Sequence, residues 1–386
     1  MPAYPNGARA GGGTASISKR FFRASARRDT GRIMMAPPAA LKINWRKVGI
    51  VLAALFLFIL AIQLLKSGAR VIVPFVQLWA GSNPLNALGF GWLAAYLVLS
   101  GSPIAALSLT LLDADALNVV GALAMVAGSR LGASFIVLVV GFVYVLRGHS
   151  RAESLSMGLL ALLTTFLVQI PSLFTGYLLL QSGWFNNLPF TADGPLFSAV
   201  EAIFDPPITL AESFLPRWAI FLLGFGVLWY SLNLIDRGMP HLHLRESAET
   251  RRPSWATRPL AAFALGLGVT SITLSVSVSL SLLVPLAVRG VVRRGNVIPY
   301  IMGANITTFV DTLVAAILLN NPLAPPVVLT EMISVASISL LILLLAYRPC
   351  ERALLSLTDA ISASNQTLAI FLLVIVGVPV ALMLIE

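Results

Sequence analysis

Charged residues are scarce in this sequence. Only 11% of the 386 residues are Asp, Glu, Lys or Arg, whereas a soluble domain carries about 25%. Hydrophobic residues make up 58% of the chain, which is more apolar surface than a water-soluble fold of this length buries. The composition therefore excludes an ordinary soluble protein and predicts an integral membrane protein.

Cysteine and histidine are almost absent. The single cysteine, Cys350, excludes an internal disulfide and a cysteine metal cluster. His241 and His243 are the only close histidine pair, and their polar surroundings favour an ordinary loop over a metal site. The chain also lacks the GxxxxGK(S/T) pattern of nucleotide-binding loops. We therefore expect a protein that is not an enzyme, with no cofactor and no metal other than a transported ion.

Positive charge is concentrated at one end of the chain. Residues 1–47 contain ten Lys and Arg and a single acid, Asp29, so they supply nearly all of the formal net charge of +10. A basic tail ahead of the first apolar segment is typical of a topology signal that stays in the cytoplasm. We predict that residues 1–46 form a disordered cytoplasmic tail of a multi-pass protein of the cell (inner) membrane, and that the tail binds no nucleic acid.

Long apolar stretches follow this tail, and a span needs about 20 such residues. Positions 100–103, 128–130, 275–279 and 303–308 interrupt four of them with small or polar residues. The stretches are 47–66, 86–112, 116–146, 155–183, 216–235, 259–287, 297–319, 327–347 and 366–385.

The interruptions are paired between two halves of the chain. Adding 175 to a residue number in the first half gives its counterpart in the second, so Ser100 and Ser102 correspond to Ser275 and Ser277. Interrupted backbone at membrane depth is tolerated only inside protein or along a wet cavity, and paired interruptions indicate a transporter site. We therefore predict an internal duplication.

The duplication divides the chain into segments. We assign repeat 1 to 47–183, an extracytoplasmic loop to 184–215, and repeat 2 to 216–347. A C-terminal linker and a final transmembrane helix occupy 348–386. Within the loop, the stretch 196–210 contains acids and prolines and is expected at the membrane interface.

The basic residues outside the tail predict how the repeats are oriented. If 86–112 and 259–287 are re-entrant hairpins, nearly every Lys and Arg cluster falls on the cytoplasmic side. Lys66, Arg70 and Arg217 are the exceptions. The predicted fold is thus an all-α integral membrane protein, an inverted-repeat transporter with two opposed re-entrant hairpins and broken helices.

Serines cluster at the predicted hairpin tips. Close helix packing explains a lone membrane serine, but serines at paired breaks favour a binding site. Half-helix N-termini there offer N–H groups to an anion, and the opposite half-helix ends offer carbonyls to a cation. The serines are Ser100, Ser102, Ser275, Ser277 and Ser279.

Two charged residues fall well inside predicted spans. Arg130 suits a bidentate grip on an oxyanion, and Asp311 suits a cation or a proton. Intramembrane charges are costly, and they indicate function unless an ion pair merely joins the repeats. That alternative stays open. Glu331 lies near a segment end and is expected at the interface.

Several motifs resemble the Na⁺/phosphate cotransporter family. Members carry QSSS in each hairpin and a GANIGTT-type motif in each following helix. Here 303–308 reads GANITT, after the serine-rich break, and 128–134 reads GSRLGAS at the matching place in repeat 1. Leu99 and Leu274 replace the two glutamines.

This resemblance covers about 47–347 and implies Na⁺-driven uptake of inorganic phosphate. Phosphate and Na⁺ are then the transported ligands of a protein embedded in the lipid bilayer. A homodimer is compatible with the resemblance. We assign the anion site and the cation site by position in the motifs and breaks. The expected anion-binding residues are Ser100, Ser102, Ser129, Arg130, Ser275, Ser277 and Asn305, and the expected cation-binding residues are Ser279, Thr307, Thr308 and Asp311.

Three alternatives remain open from the residues alone. The same scaffold could carry another anion or use protons through Asp311. A lipid-modifying membrane enzyme would need an interfacial acid cluster, and only Glu201 and Asp205 approach one. A degenerate membrane protein that transports nothing is compatible with the replaced glutamines.

Overall fold

The computed structural model describes residues 45–81, 83–146, 151–185, 195–238, 258–273, 279 and 294–385. Within these ranges the regular structure is entirely helical. Most of the predicted basic tail, the His241 and His243 loop, and both Ser275 and Ser277 lie outside the described residues.

Seven principal helices lie in the described part of the first half of the chain. A short helical connection, Ala69–Gly81, follows the first of them. The helices are α1 (Trp45–Gly68), α2 (Pro84–Val98), α3 (Ser102–Asp113), α4 (Val119–Ala133), α5 (Phe135–Leu146), α6 (Arg151–Gln181) and α7 (Pro195–Phe214).

The second half contributes seven more helices among the described residues. A π-helical turn, Ile342–Ala346, joins two of them without a gap. The helices are α8 (Arg217–Gly238), α9 (Pro259–Thr273), α10 (Arg294–Thr307), α11 (Phe309–Leu318), α12 (Ala324–Leu341), α13 (Tyr347–Ser362) and α14 (Asn365–Met383).

Among the residues that the structure describes, seven helical stretches are long and apolar enough to cross a membrane. This confirms the coarse prediction of an all-helical chain compatible with a membrane protein. The stretches are Trp45–Val71, Val119–Leu146, Leu155–Gln181, Arg217–Ile235, Arg294–Leu318, Ala324–Ser362 and Asn365–Met383.

The predicted break in 86–112 is present. Helix α2 has 15 residues and α3 has 12, so at about 1.5 Å per residue neither reaches across a hydrocarbon core of about 30 Å. Between them, Leu99 adopts a left-handed φ of 55° that turns the chain. The re-entrant path of this pair stays a prediction.

The predicted break at 128–130 is wrong. Helix α4 continues through Gly128 and ends at Ala133, and the interruption falls at Ser134. A Cβ on Gly128 would overlap the carbonyl oxygen of Leu88, so this glycine lets α2 approach α4 closely. Small residues here indicate helix packing rather than a broken helix. In the second half the break falls at Thr308, inside the predicted 303–308.

Close contacts at glycines repeat with the offset of 175. A Cβ on any of four glycines would overlap a backbone oxygen of the facing helix. In the first half these glycines lie on α2 and α4, which face each other. In the second half they lie on α9 and α10. The pairs are Gly91 with Met125 and Gly128 with Leu88 in the first half, and Gly266 with Tyr300 and Gly303 with Phe263 in the second.

Helices α1 and α8 pack in opposite directions. The Cα of Gly68 lies against the backbone of Phe221, and that of Gly224 lies against Leu65 and its neighbour. Residue numbers thus rise along one helix as they fall along the other. The first helices of the two predicted repeats are therefore antiparallel where they touch.

Tyrosines satisfy carbonyls that prolines leave free. Proline lacks an N–H, so Pro379 in α14 leaves the Ile375 carbonyl without its helical donor. The Tyr96 hydroxyl donates to that oxygen at 3.2 Å, which fastens α14 to α2. In the same way Pro299 frees the Gly295 carbonyl, and the Tyr347 hydroxyl donates to it at 3.1 Å.

The glycine contacts predict a position-specific loss of stability. Gly128→Ala and Gly303→Ala should each lower the free energy of unfolding by about 1–3 kcal/mol, because a methyl group would meet a backbone oxygen. The matched control is Gly377→Ala, where nothing lies within 4 Å. Thermal unfolding of the purified proteins in detergent measures the difference. Equal melting temperatures for the three variants would contradict the packing.

Candidate functional site

The site is built around Arg130 of α4 and Asp311 of α11. Their side chains are each 6% exposed, and Arg130 Nη2 lies 3.8 Å from Asp311 Oδ1. Thr312 joins them more closely, since its hydroxyl accepts from Arg130 Nη2 at 2.6 Å and donates to Asp311 Oδ1 at 3.0 Å. Arg130 and Thr312, which are 182 residues apart in sequence, therefore share one buried polar bridge with Asp311.

Helix ends make this burial less costly. Arg130 lies in the last turn of α4 and Asp311 in the first turn of α11. A helix carries partial negative charge at its C-terminus and partial positive charge at its N-terminus, so each end favours the charge found there. The backbone N–H of Thr312 also donates to Asp311 Oδ1 at 2.6 Å.

An aromatic ring covers the arginine. The Arg130 guanidinium carbon lies 4.5 Å from the ring centre of Phe309, which is fully buried. This cation–π contact is worth more when water is excluded. Two polar atoms stay without a hydrogen bond, namely Arg130 Nε and Asp311 Oδ2.

The tip between α2 and α3 reaches the same place. Ser102 begins α3, and its side chain lies beside the Asp311 carboxylate. Gly101 packs against α4, because a Cβ there would lie 2.7 Å from the carbonyl oxygen of Ser129. The start of α3, the end of α4 and the start of α11 therefore meet at the pair. Ser100 is half-buried at the same tip.

Other predicted site residues use their polar groups within the fold. Ser129 donates to Val126 O. Asn305 donates to the Thr165 hydroxyl of α6 at 3.1 Å. Their roles as ligands of an anion stay predictions, as do those of Ser275 and Ser277 outside the described residues.

The expected cation-binding residues differ in whether their side-chain oxygens already take part in hydrogen bonds. Thr307 and Thr308 donate to carbonyls three residues back, and Ser279 is hydrogen-bonded to Thr270 and Tyr300. Asp311 Oδ2, by contrast, has no hydrogen bond. Its role as a cation ligand is still a prediction.

The interfacial position expected for Glu331 is wrong. This residue lies inside α12 and is fully buried, because the first half of that helix packs against other helices. Gln169 of α6 donates to Glu331 Oε1, and Arg130 is near enough to interact with its charge. An acid inside the apolar stretch 327–347 was the signal that could have identified it.

Three basic residues did not fit the predicted cytoplasmic placement of positive charge, namely Lys66, Arg70 and Arg217. All three line one cleft of about 360 Å³. Lys66 Nζ donates to Leu319 O at 2.9 Å, at the end of α11, and lies 4.0 Å from Asp113 Oδ2. Acidic residues therefore accompany these basic ones. The charged residues that line the cleft are Lys66, Arg70, Asp113, Asp205, Glu212 and Arg217.

Comparison of the chain with family models, with curated proteins and with solved structures finds no match. Its function therefore has to be inferred from its own residues and geometry.

The pair predicts a non-additive pattern of stability. Asp311→Leu or Arg130→Met alone should cost about 3–5 kcal/mol, because each leaves the other charge buried without compensation. The double variant Arg130→Met with Asp311→Leu should lose far less, since apolar side chains can fill the space. Thermal unfolding of the four proteins in detergent measures the coupling. Additive losses would show that the two charges do not stabilise each other.

Proposed function

We propose that this protein is a secondary active transporter that takes up inorganic phosphate with Na⁺. The observation that carries the proposal is the buried meeting of Arg130, Asp311 and Ser102 at three helix ends. A cationic anchor, an anionic group and a helix N-terminus are the components that an anion and a cation need in one place. The choice of phosphate and Na⁺ rests on the motif resemblance.

The packing supports an inverted repeat. Equivalent glycine contacts recur at an offset of 175, and α2 and α9 have the same length of 15 residues with both ends shifted by that offset. The antiparallel contact of α1 and α8 supports opposite orientations for the two halves. In this arrangement the pair α2–α3 is one re-entrant hairpin, and α9 begins the other.

Helix lengths support a site near the membrane midplane. Helix α3 runs from Ser102, beside Asp311, to Asp113, which lines the charged cleft. At about 1.5 Å per residue this is about 17 Å, or roughly half of a hydrocarbon core of about 30 Å. With the cleft at the outer surface, the pair lies near the centre of the bilayer.

The geometry suggests how cation and anion transport are coupled. Arg130 faces Asp311 through Thr312, so its charge is already balanced when no ion is bound. A Na⁺ ion on the free Asp311 Oδ2 would neutralise the carboxylate and leave Arg130 available to an oxyanion. The anion would therefore bind well only after the cation, which is the condition for coupled transport.

Proton coupling on the same scaffold is a second candidate. The buried carboxylates of Asp311 and Glu331 favour it, because a proton can neutralise either one. A pH gradient without Na⁺ would then drive uptake. This candidate changes the driving ion and keeps the anion site.

Transport in proteoliposomes tests the proposal. An inward Na⁺ gradient should drive accumulation of radiolabelled phosphate, and Arg130→Ala should reduce it by at least about tenfold, the effect of losing about 1.4 kcal/mol of anion binding. Arg352→Ala, at an exposed position on α13, is the matched control and should leave uptake unchanged.

The double variant Arg130→Met with Asp311→Leu separates function from assembly. If the pair forms the transport site, this variant folds and transports nothing. Uptake that persists in the folded double variant would show that the pair only joins the two halves. If wild-type proteoliposomes accumulate no phosphate, or accumulate it equally well without a Na⁺ gradient, the proposed substrate or ion is wrong. The fold would not be affected by that result.

A further inference from the structure

Helix α13 follows α12 in a helical stretch that is too long for one membrane span. Ala324–Ser362 contains 39 residues, which at about 1.5 Å per residue is nearly twice a hydrocarbon core of about 30 Å. Helix α12 has 18 residues and the π-helical turn after it has five, so these two already suffice for one crossing. Helix α13 therefore lies beyond the hydrocarbon core.

The helical path is interrupted where α13 begins. Ala346, the last residue of the π-helical turn, has φ −129° and ψ 15°, far from α-helical values. Pro349 has no N–H to donate to the carbonyl of Leu345, four residues earlier. Prolines and π-helical turns are the usual places where a helix bends, so α13 is not bound to continue along the axis of α12.

The helices on either side hold both ends of α13 at the same membrane surface. Helix α14 begins at Asn365, shortly after α13 ends at Ser362, and its 19 residues are long and apolar enough to cross. If the 16 residues of α13 pointed away from the membrane, the far end would lie about 24 Å from the surface, too far for α14 to begin a crossing. Helix α13 therefore lies along the surface.

One face of α13 packs on the protein and holds the start of α10. The Tyr347 hydroxyl donates to Gly295 O at 3.1 Å, and Asp359 forms an ion pair of 2.7 Å with Arg294. Buried residues at helical spacing complete this face, namely Leu354, Thr358 and Ile361. The rotation of α13 about its own axis is thereby fixed.

The exposed part of α13 consists of two adjacent faces. Along each face the residues are spaced by four, four and three positions, which is the spacing of one side of a helix. The polar face consists of Arg348, Arg352, Ser356 and Asp359, and the apolar face consists of Pro349, Ala353, Leu357 and Ala360. Leu357 is 46% exposed. A polar face beside an exposed apolar face is the pattern of an amphipathic helix in a membrane interface.

We propose that the apolar face of α13 rests on the acyl chains of the lipid bilayer, whereas its polar face meets the headgroups and water. Lipid is the occupant of the apolar face because the spans α12 and α14 put the whole helix at the membrane surface. Through Tyr347 and Asp359 the same helix connects that surface to α10. This lipid contact is independent of which ions the protein transports.

Spin labelling in proteoliposomes tests this contact, and the single cysteine of the chain keeps the labelling specific. In a Cys350→Ser background, Leu357→Cys and Ser356→Cys put a nitroxide on the apolar and the polar face of the same turn. Collisions with oxygen report lipid, and collisions with a water-soluble nickel chelate report water. The Leu357 label should favour oxygen and lie about 5–10 Å into the boundary between headgroups and acyl chains. The Ser356 label should favour the chelate.

Two further labels calibrate and repeat the measurement. Leu373→Cys, at a position on α14 that is 73% exposed, gives the reading of a lipid-facing residue inside a span and should lie deeper than the Leu357 label. Ala353→Cys reports on the apolar face one turn earlier. It therefore decides the question if Leu357→Cys does not fold.

Three outcomes would overturn the proposal. If the Leu357 label reaches the chelate as readily as the Ser356 label does, water covers the apolar face. If the Leu357 label is shielded from both oxygen and the chelate, protein covers this face, as a second copy of the chain would. If the Ser356 label favours oxygen as strongly as the Leu357 label, α13 lies inside the bilayer rather than at its surface.

Discussion

A charged arginine and a charged aspartate have to be kept together inside an apolar helical bundle. Removing either charge from water is expensive, and their attraction offsets that expense only if hydrogen bonds satisfy both groups. Thr312 meets this need by accepting from Arg130 and donating to Asp311. The breaks at Ser134 and Thr308 supply the helix ends whose partial charges favour both residues. Both interruptions thus lie next to the charges that they help to stabilise.

Close packing holds these helix ends in place. In a bilayer the lipid is as apolar as the helix surfaces, so helices associate through tight contact and hydrogen bonds rather than through the hydrophobic effect. Gly128 and Gly303 allow backbone to touch backbone, and Gly101 brings the start of α3 against Ser129. An offset of one residue along α4 would turn Arg130 away from Thr312. The glycines therefore fix the geometry of the charged pair as well as the packing.

The sequence predicted the long apolar helices well, because hydropathy and length are local properties. It also predicted the interruption near Ser100, whereas the contact of Arg130 with Asp311 was only an alternative that the residues left open. It misplaced the break in repeat 1, since Gly128 and Ser129 are as compatible with close packing as with an unwound turn. Glu331 was misjudged because sequence gives the distance to a segment end and does not show which helices cover that end.

Hydrogen bonding of the hydroxyls could not be read from sequence either. Ser129 and Thr308 match a transporter motif, yet each donates to a carbonyl of its own helix, as serines and threonines in membrane helices often do. Thr312, outside the motif, is the residue that joins the charges. Motif position indicates which segments come together, whereas rotamer and partner depend on contacts between residues far apart in sequence.

The balance of the three buried charges constrains any transport cycle on this scaffold. Asp311 and Glu331 both face Arg130, so an anion that approaches this arginine is repelled by whichever of the two carboxyls is ionised, and on the proposed cycle a cation would offset that repulsion. Each added negative charge increases the repulsion from both carboxylates in a medium that screens poorly. Selectivity for co-transport would then follow from electrostatics alone, without a separate gate that senses occupancy. Under the proposed function, a carboxylate that binds the cation would also be the group that repels an unaccompanied anion.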